Sequence, residues 1–456
     1  MKTIFITAFH SFISRSILNT DVFKILTEQP DLRIIIFVPE FKKDFYKNTY
    51  GSENVIIEGV NPEKLSPSRT PYHFQKLAGM FLPTYTKKIW AAGGAPNNRK
   101  IKKNLIFYWL ELLIFFISKN FKISHKILRA ADFHFSSNNI FGNYIAKYRP
   151  ELCFSTDLIS GPDAIFLMAA KKHNIKTIGM VRSWDCATNK SLTRVLPNRI
   201  LVNNNQTMKD MIEYHDAAAE KIIVVGFPQF DSYLKTKLLS REEFFKLIGA
   251  DLNKRLVFFA PAGKFLSDCD AETAEVLKEA LHNGKLPVDV QFLVSYHPQN
   301  PADLINLKNN PNFIIRHLGT AFGDNAKANE LDKESANQLI NFIYHSEIII
   351  HHSSSLGLDA SIFDKPQIMI AFDGYEKKSY LESVRRYHNE NNMKGFINTG
   401  AARVVKNPEE LVYWINKYLS NPKIDAAGRA RARMEILANP DRNSGRRIAN
   451  FILSFL

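Results

Sequence analysis

Short, continuously apolar runs alternate with longer stretches of helical periodicity along most of the chain. In the first half the runs are Thr3–Ala8, Arg33–Val38, Val55–Ile57, Leu152–Ser155, Thr177–Val181 and Arg199–Val202. In the second half they are Ile222–Val225, Leu256–Ala260, Gln291–Tyr296, Phe313–Arg316, Ile348–His351 and Gln367–Ala371. Few of them alternate apolar with polar residues, as strands buried on both faces of a parallel sheet should not. Ser160–His173, Gln206–His215 and Asp132–Tyr148 carry the spacing of helices. The strand–helix–strand repetition predicts an α/β chain of two doubly wound domains facing a central cleft. The turn Gly226–Pro228 is the expected hinge, dividing 1–222 from 223–456. The closing stretch Asn407–Leu456 reads as helical and is expected to pack across both domains. The opening MKTIFITAFHSFISR reads as a first buried strand, because His10 and Arg15 interrupt its apolar run before any cleavage-like site.

Composition supports two folded domains. The chain has 456 residues, 45% hydrophobic and 23% charged, which excludes disorder and leaves ample apolar surface for large cores. The net charge of +15 is uneven. Residues 1–150 hold 22 Lys/Arg against 10 Asp/Glu, whereas the rest of the chain holds 38 against 35. The basic part contains an insertion, 62–130, whose beginning is rich in proline and whose centre is the 13-residue run Leu105–Ile117. That run is too short to span a bilayer, which takes about 20 apolar residues. Arg99, Lys100, Lys102 and Lys103 precede it, and Lys119, Lys122, Lys126 and Arg129 follow. Such a helix suits either burial under the first sheet or an anionic membrane surface touched through 99–129. Three cysteines without CxxC spacing point to a reduced, cytoplasmic setting, with peripheral attachment to the inner face of the membrane as its extension.

In doubly wound folds ligands bind beyond the carboxyl ends of the strands, so polar residues just after those ends are the candidates. The richest segment is HHSSSLGLDASIFDKPQIMIAFD, residues 351–373. It places His352, Ser353, Ser354 and Ser355 between a strand and a helix, where hydroxyls and free backbone N–H groups suit phosphate. Asp359 lies one turn on, within reach of a ribose diol. Lys264 and His297 each follow another strand of the second half and could meet diphosphate charge. In the first half, His10 and Ser11 follow the first strand, and VRSWDCATNK (181–190) supplies Asp185, Thr188 and Lys190. No metal site is expected: His351 and His352 are adjacent, and Asp268-Cys269-Asp270 opens a helix-like stretch. No GxGxxG follows a strand, and neither GxxxxGK[ST] nor GxSxG occurs.

Four segments together resemble the GT-B transferases, in particular the CDP-glycerol glycerophosphotransferase and capsule-type glycosyltransferase families. They are the Ser-rich turn with its acidic residue and Lys365-Pro366, the turn VVGFPQFDSY (224–233), VSYHPQN (294–300), and the Trp-centred VRSWDCATNK. The likeness covers roughly residues 180–450. It departs from the families where Tyr296 replaces a frequent Arg, and where Asp185 stands at a position that is His in some relatives.

The resemblance implies two Rossmann-like domains and a metal-independent transfer of a glycosyl or polyol-phosphate group. The nucleotide-activated donor, CDP- or UDP-linked, would be a substrate and no cofactor would be needed. His297, Lys264, His352, Ser353, Ser354, Ser355 and Asp359 would then hold the donor. Asp185 or His10 would act as base, His297 would also be catalytic by donating to the leaving diphosphate, and Ser11, Thr188 and Lys190 would meet a glycan or lipid-linked acceptor. A non-hydrolysing UDP-sugar 2-epimerase shares the architecture. Nucleic-acid binding through the basic third is the remaining alternative, and no RNP-type or helix-turn-helix signature accompanies it.

Overall fold

The computed structural model describes residues 1–61, 69–93, 105–136, 140–263, 266–295, 304, 307, 309–319 and 332–456. The chain forms two compact units. The first joins Met1–Ala91, Lys103–Ser232 and Pro440–Leu456, and the bulk of the second is Tyr233–Asn439. The division thus falls ten residues after the expected one, and residues 440–456 return to the first unit. Helices Pro408–Ser420 and Ala426–Glu435 stay with the second.

The first sheet has seven strands: β1 (Lys2–Thr7), β2 (Leu32–Pro39), β3 (Val55–Val60), β4 (Leu152–Ser155), β5 (Lys176–Met180), β6 (Arg199–Val202) and β7 (Ile222–Val224). The second has six: β8 (Arg255–Ala260), β9 (Val290–Val294), β10 (Phe313–Ile315), β11 (Ile348–His351), β12 (Gln367–Ile370) and β13 (Arg403–Val405). Their orders are β3-β2-β1-β4-β5-β6-β7 and β10-β9-β8-β11-β12-β13, with every described neighbour parallel. Strand β7, assigned from the sequence to the second half, pairs with β6 as an edge of the first sheet. In each sheet the winding direction reverses once, between β1 and β4 and between β8 and β11. These two switch points open crevices at the strand carboxyl ends.

Alternation along β1 shows how the first unit fills its core. Ile4 and Ile6 face one side with Ile34, Ile36, Val22, Leu26 and the terminal helix residues Ile448, Ala449 and Ile452. Phe5 faces the other, with Ile35, Phe37, Phe141 and Phe166. Rings there meet edge to face, Phe5 on Phe37 at 4.9 Å and Phe37 on Phe141 at 5.3 Å. Each fully buried Ile or Phe contributes about 1.5–3 kcal/mol. In the second unit Val257, Phe259, Ile348 and Ile350 pack on helices Asp270–His282 and Pro408–Ser420 through Leu277, Leu411 and Ile415.

Two helices of the insertion, Leu105–Asn120 and Ile123–Phe135, turn apolar side chains outward. Trp109, Leu113 and Phe116 share one helix face by their spacing and are 65%, 54% and 58% exposed. Phe121, Ile123, Ile127 and Phe135 are exposed on the adjoining segment. The inner side is tied down by polar bonds. Ser118 Oγ lies 2.6 Å from His125 Nε2, and His125 Nδ1 lies 2.7 Å from Asp216 Oδ2. Arg129 and Lys122 reach the same carboxylate. Burial opposes the charge on Asp216, yet His125, Arg129 and Lys122 outweigh it and hold the carboxyl at about 2. No described helix is long and apolar enough to cross a membrane.

Candidate active site

At the switch point of the second sheet, the chain leaves β11 through His351 and His352 into the serine run. His352 is buried, its Nε2 3.2 Å from Asp270 Oδ1, yet neither ring nitrogen makes a hydrogen bond to a described residue. Ser353 is half-buried, and its hydroxyl oxygen is enclosed without a hydrogen-bond partner among the described residues. Buried polar groups in native folds are nearly always paired, so two orphans side by side mark a place where a ligand or water completes the structure. Asp270 fixes the facing loop by accepting from the backbone N–H groups of Ala262 (3.0 Å) and Gly263 (2.7 Å). It opens helix Asp270–His282 directly behind the crevice.

The rest of the serine run has smaller parts. Ser354 Oγ accepts from Leu356 N at 3.2 Å. Ser355 is exposed and starts helix Leu356–Ile362 without capping it through its side chain. That helix has 7 residues, so the hydroxyls and imidazole, more than a helix dipole, give the crevice its donors. Asp359, expected at a ribose, is buried and accepts a hydrogen bond from the Tyr233 hydroxyl. Lys264 and His297 lie outside the described residues. Asp268, in the DCD triplet, takes the ammonium of Lys378 at 2.5 Å.

At the switch point of the first sheet, polar residues meet from three strand ends. Asp163 is buried and accepts from Thr7 Oγ1, Ser155 Oγ (2.9 Å) and Ser160 Oγ (2.6 Å). Burial first, and then the charge of Asp157, raises its pKa. Asp157 in turn accepts from Arg182 Nε at 2.8 Å. The guanidinium of Arg182 lies 5.7 Å from the centre of the Phe12 ring, and that ring lies 5.2 Å from His10. The loop after β1 and the loop after β5 therefore converge here.

His10 and Asp185, rival bases in the sequence, are distinguished by their hydrogen bonds. The backbone N–H of Phe12 donates to His10 Nδ1 at 3.2 Å, so the neutral ring carries its proton on Nε2 and offers a donor. Asp185 is half-buried and its side chain does not cap the short helix Cys186–Asn189 that it starts. Ser11 is buried, and Lys190 is exposed at the end of that helix. Thr188 is a correction: it is fully buried, donates to the carbonyl of Asp185 and to Asn189 Oδ1, and its own carbonyl accepts from Thr84. It builds the loop and cannot reach an acceptor. The loop is also pinned from beneath by His215, whose Nε2 is 2.7 Å from the Ala187 carbonyl while Nδ1 accepts from Thr193 N at 3.0 Å. Arg182, Asp157, Asp163 and Asp270 were not read as site residues. The signal that could have found Arg182 is a charged residue two positions beyond a buried strand.

Two parallel doubly wound units, each with hydrogen-bonding side chains gathered at its switch point, have the topology of the GT-B fold. Solved structures of low identity agree on the fold over the whole of this chain. The wall teichoic acid polymerase TagF, soaked with CDPG, is 12% identical with a TM-score of 0.50, and 88% of it is covered. MnaA of S. aureus with UDP is 12% identical, at 0.56 and 98% coverage. UDP-GlcNAc 2-epimerase from Neisseria meningitidis bound to UDP-GlcNAc is 9% identical, at 0.55 and 100% coverage. No curated protein matches. Residues 168–454 match the CDP-Glycerol:Poly(glycerophosphate) glycerophosphotransferase family, and the chain belongs to it. It is a glycosyltransferase-like transferase that works from a nucleotide-activated donor.

Proposed function

We propose that this protein moves a polyol-phosphate or glycosyl group from a CDP- or UDP-linked donor to a hydroxyl of a surface-glycan or lipid-linked acceptor. It needs no metal ion and works at the cytoplasmic face of a membrane. The observation that carries the reading is buried His352, in ionic contact with Asp270 at 3.2 Å, beside the Ser353 hydroxyl at the second switch point, neither making a hydrogen bond to a described residue. They supply donors to the leaving phosphate, joined by Ser354, Ser355, His297 and Lys264, with Asp359 on the nucleoside side. Asp185 removes the proton of the attacking hydroxyl while that oxygen bonds to the transferred phosphorus or anomeric carbon. The bond to the nucleotide breaks, and its electrons leave as phosphate charge met by His352 and Ser353. His10, with its proton on Nε2, serves as donor in this scheme, and Ser11 and Lys190 line the acceptor side.

The exposed apolar face of Trp109, Leu113 and Phe116, with exposed Lys119 on the same helix and exposed Lys126 on the next, supports a peripheral membrane position. Family membership favours transfer over epimerisation. Isothermal titration with CDP, UDP and GDP in the presence of a chelator tests the core of the reading. One of them is expected to bind, and His352→Asn with Ser353→Ala to weaken it at least tenfold. Absence of binding, or unchanged affinity in the double variant, refutes it.

A further inference from the structure

Arg182 is the least explained charged group of the first unit. Its side chain is 7% exposed, and that exposure includes the two terminal nitrogens, which open into the crevice. Only Nε has an acceptor, Asp157 Oδ2; among the described residues nothing accepts from either terminal nitrogen. Those nitrogens belong to a residue just beyond β5, beside the crevice between β1 and β4, where a doubly wound sheet binds its ligand. Two independent facts, a fork left open by the described residues and the switch point, thus fall together.

The surroundings decide what the fork receives. An anion would be the usual partner of an arginine, but here the charge is already met. Asp157 neutralises the guanidinium, and the half-buried Asp185 adds a further negative charge close enough to help keep Arg182 ionised. Asp163 stands behind Asp157, its pKa raised by burial and by the charge of Asp157. A phosphate placed at the fork would face two carboxylates in a poorly solvated crevice. An uncharged group rich in oxygen would meet no such repulsion. Its hydroxyl oxygens accept from the fork, one hydroxyl proton points to Asp185, and its C–H groups lie against the ring of Phe12.

We propose that Arg182, Asp157 and Phe12 form a hydroxyl-recognition subsite for the uncharged polyol or sugar end of the acceptor, and that this subsite discriminates against a phosphate at the same place. The inference rests on Asp185 as the proton acceptor of the proposed reaction. Arg182 fixes the acceptor oxygens, and Asp157 positions Arg182.

The test uses the full chain labelled with 15N arginine, the Arg182 Nε–H resonance being assigned through Arg182→Lys. Glycerol and sn-glycerol 3-phosphate are titrated separately; they share a skeleton and differ in charge. Saturable movement of the resonance by glycerol is expected, with glycerol 3-phosphate binding at least fivefold more weakly. Tighter binding of glycerol 3-phosphate, or no movement with either, overturns the proposal. Arg182→Gln should lose glycerol binding and Arg182→Lys should weaken it at least fivefold, because an ammonium lacks the planar fork. Should Arg182→Gln fail to fold, the wild-type titrations still decide. Nucleotide affinity, read separately by calorimetry, should be unchanged in Arg182→Lys. Glycerol binding without any nucleotide binding would sink the transferase reading while leaving this subsite standing.

Discussion

Acidification should loosen the Asp185 loop through a single buried ring. His215 is fully buried beneath helix Cys186–Asn189, donating from Nε2 to the Ala187 carbonyl and accepting the Thr193 N–H at Nδ1. Burial foremost, with Arg129 and His125 adding repulsion, lowers its pKa from 6.5 to about 4. A second proton on Nδ1 would face the N–H that it now accepts. The unfolded chain takes that proton below pH 6.5 and the fold resists it until about pH 4. The stabilisation from the neutral ring is therefore complete above 6.5 and is lost as pH falls from there. At pH 5 the difference is about 2 kcal/mol, rising to about 3 kcal/mol at pH 4.

Hydrogen exchange read peptide by peptide isolates the effect from the second unit, where His351 and His388 are also lowered to about 4. Protection of amides around Cys186–Asn189, corrected for intrinsic exchange, should fall about 30-fold between pH 7.5 and 5. In His215→Gln, which keeps a donor for Ala187 but cannot titrate, most of that fall should disappear. An equal fall in the variant would show that another group governs the loop and would refute the reasoning.

Further consequences are measurable. Asp185→Asn should lower kcat by about 10²–10⁴-fold with nucleotide affinity unchanged, whereas His10→Gln should cost less, since the ring offers a donor that the amide can replace. Gly226→Ala should destabilise the first unit by about 1–3 kcal/mol in thermal melting, because φ is +85° and the new Cβ would lie 2.5 Å from Ser444 Oγ. Trp109→Ser with Phe116→Ser should cut partition into vesicles containing anionic lipid at least tenfold. Lys119→Gln should remove about 1 kcal/mol of that binding, an effect erased by high salt.

Most strands were legible because burial on both faces leaves an unbroken apolar run, as in Arg33–Val38 and Ile348–His351. Strand β13 was not, since Arg403–Val405 is a three-residue edge that begins with a charge. Strand β7 was legible as a strand but not in its pairing: an apolar run records burial and carries no address for its neighbour. The serine run was legible because a strand end followed by hydroxyls is a local pattern. What His352 meets in Asp270, and what Asp359 already holds in Tyr233, depends on residues far away along the chain. Thr188 shows the same limit at short range. A hydroxyl in a motif looks available until the helix turns it inward, and only packing fixes that turn. For the insertion, the sequence left burial and exposure equally open. The polar chain from Ser118 through His125 to Asp216 decides it by committing the other side of the hairpin inward.

The terminal helix gives the protein an order of assembly. Ile448, Ala449 and Ile452 sit in the same core as Ile4, Ile6 and Ile36, so the first unit begins and ends its hydrophobic packing at opposite ends of the chain. On the ribosome the second unit, Tyr233–Asn439, emerges whole before helix Ser444–Phe455 does. The half that supplies the proposed proton acceptor therefore waits, with part of one face of its sheet uncovered, until the half that supplies the proposed nucleotide crevice has been made. The core of the first unit cannot be completed before Tyr233–Asn439 has been synthesised.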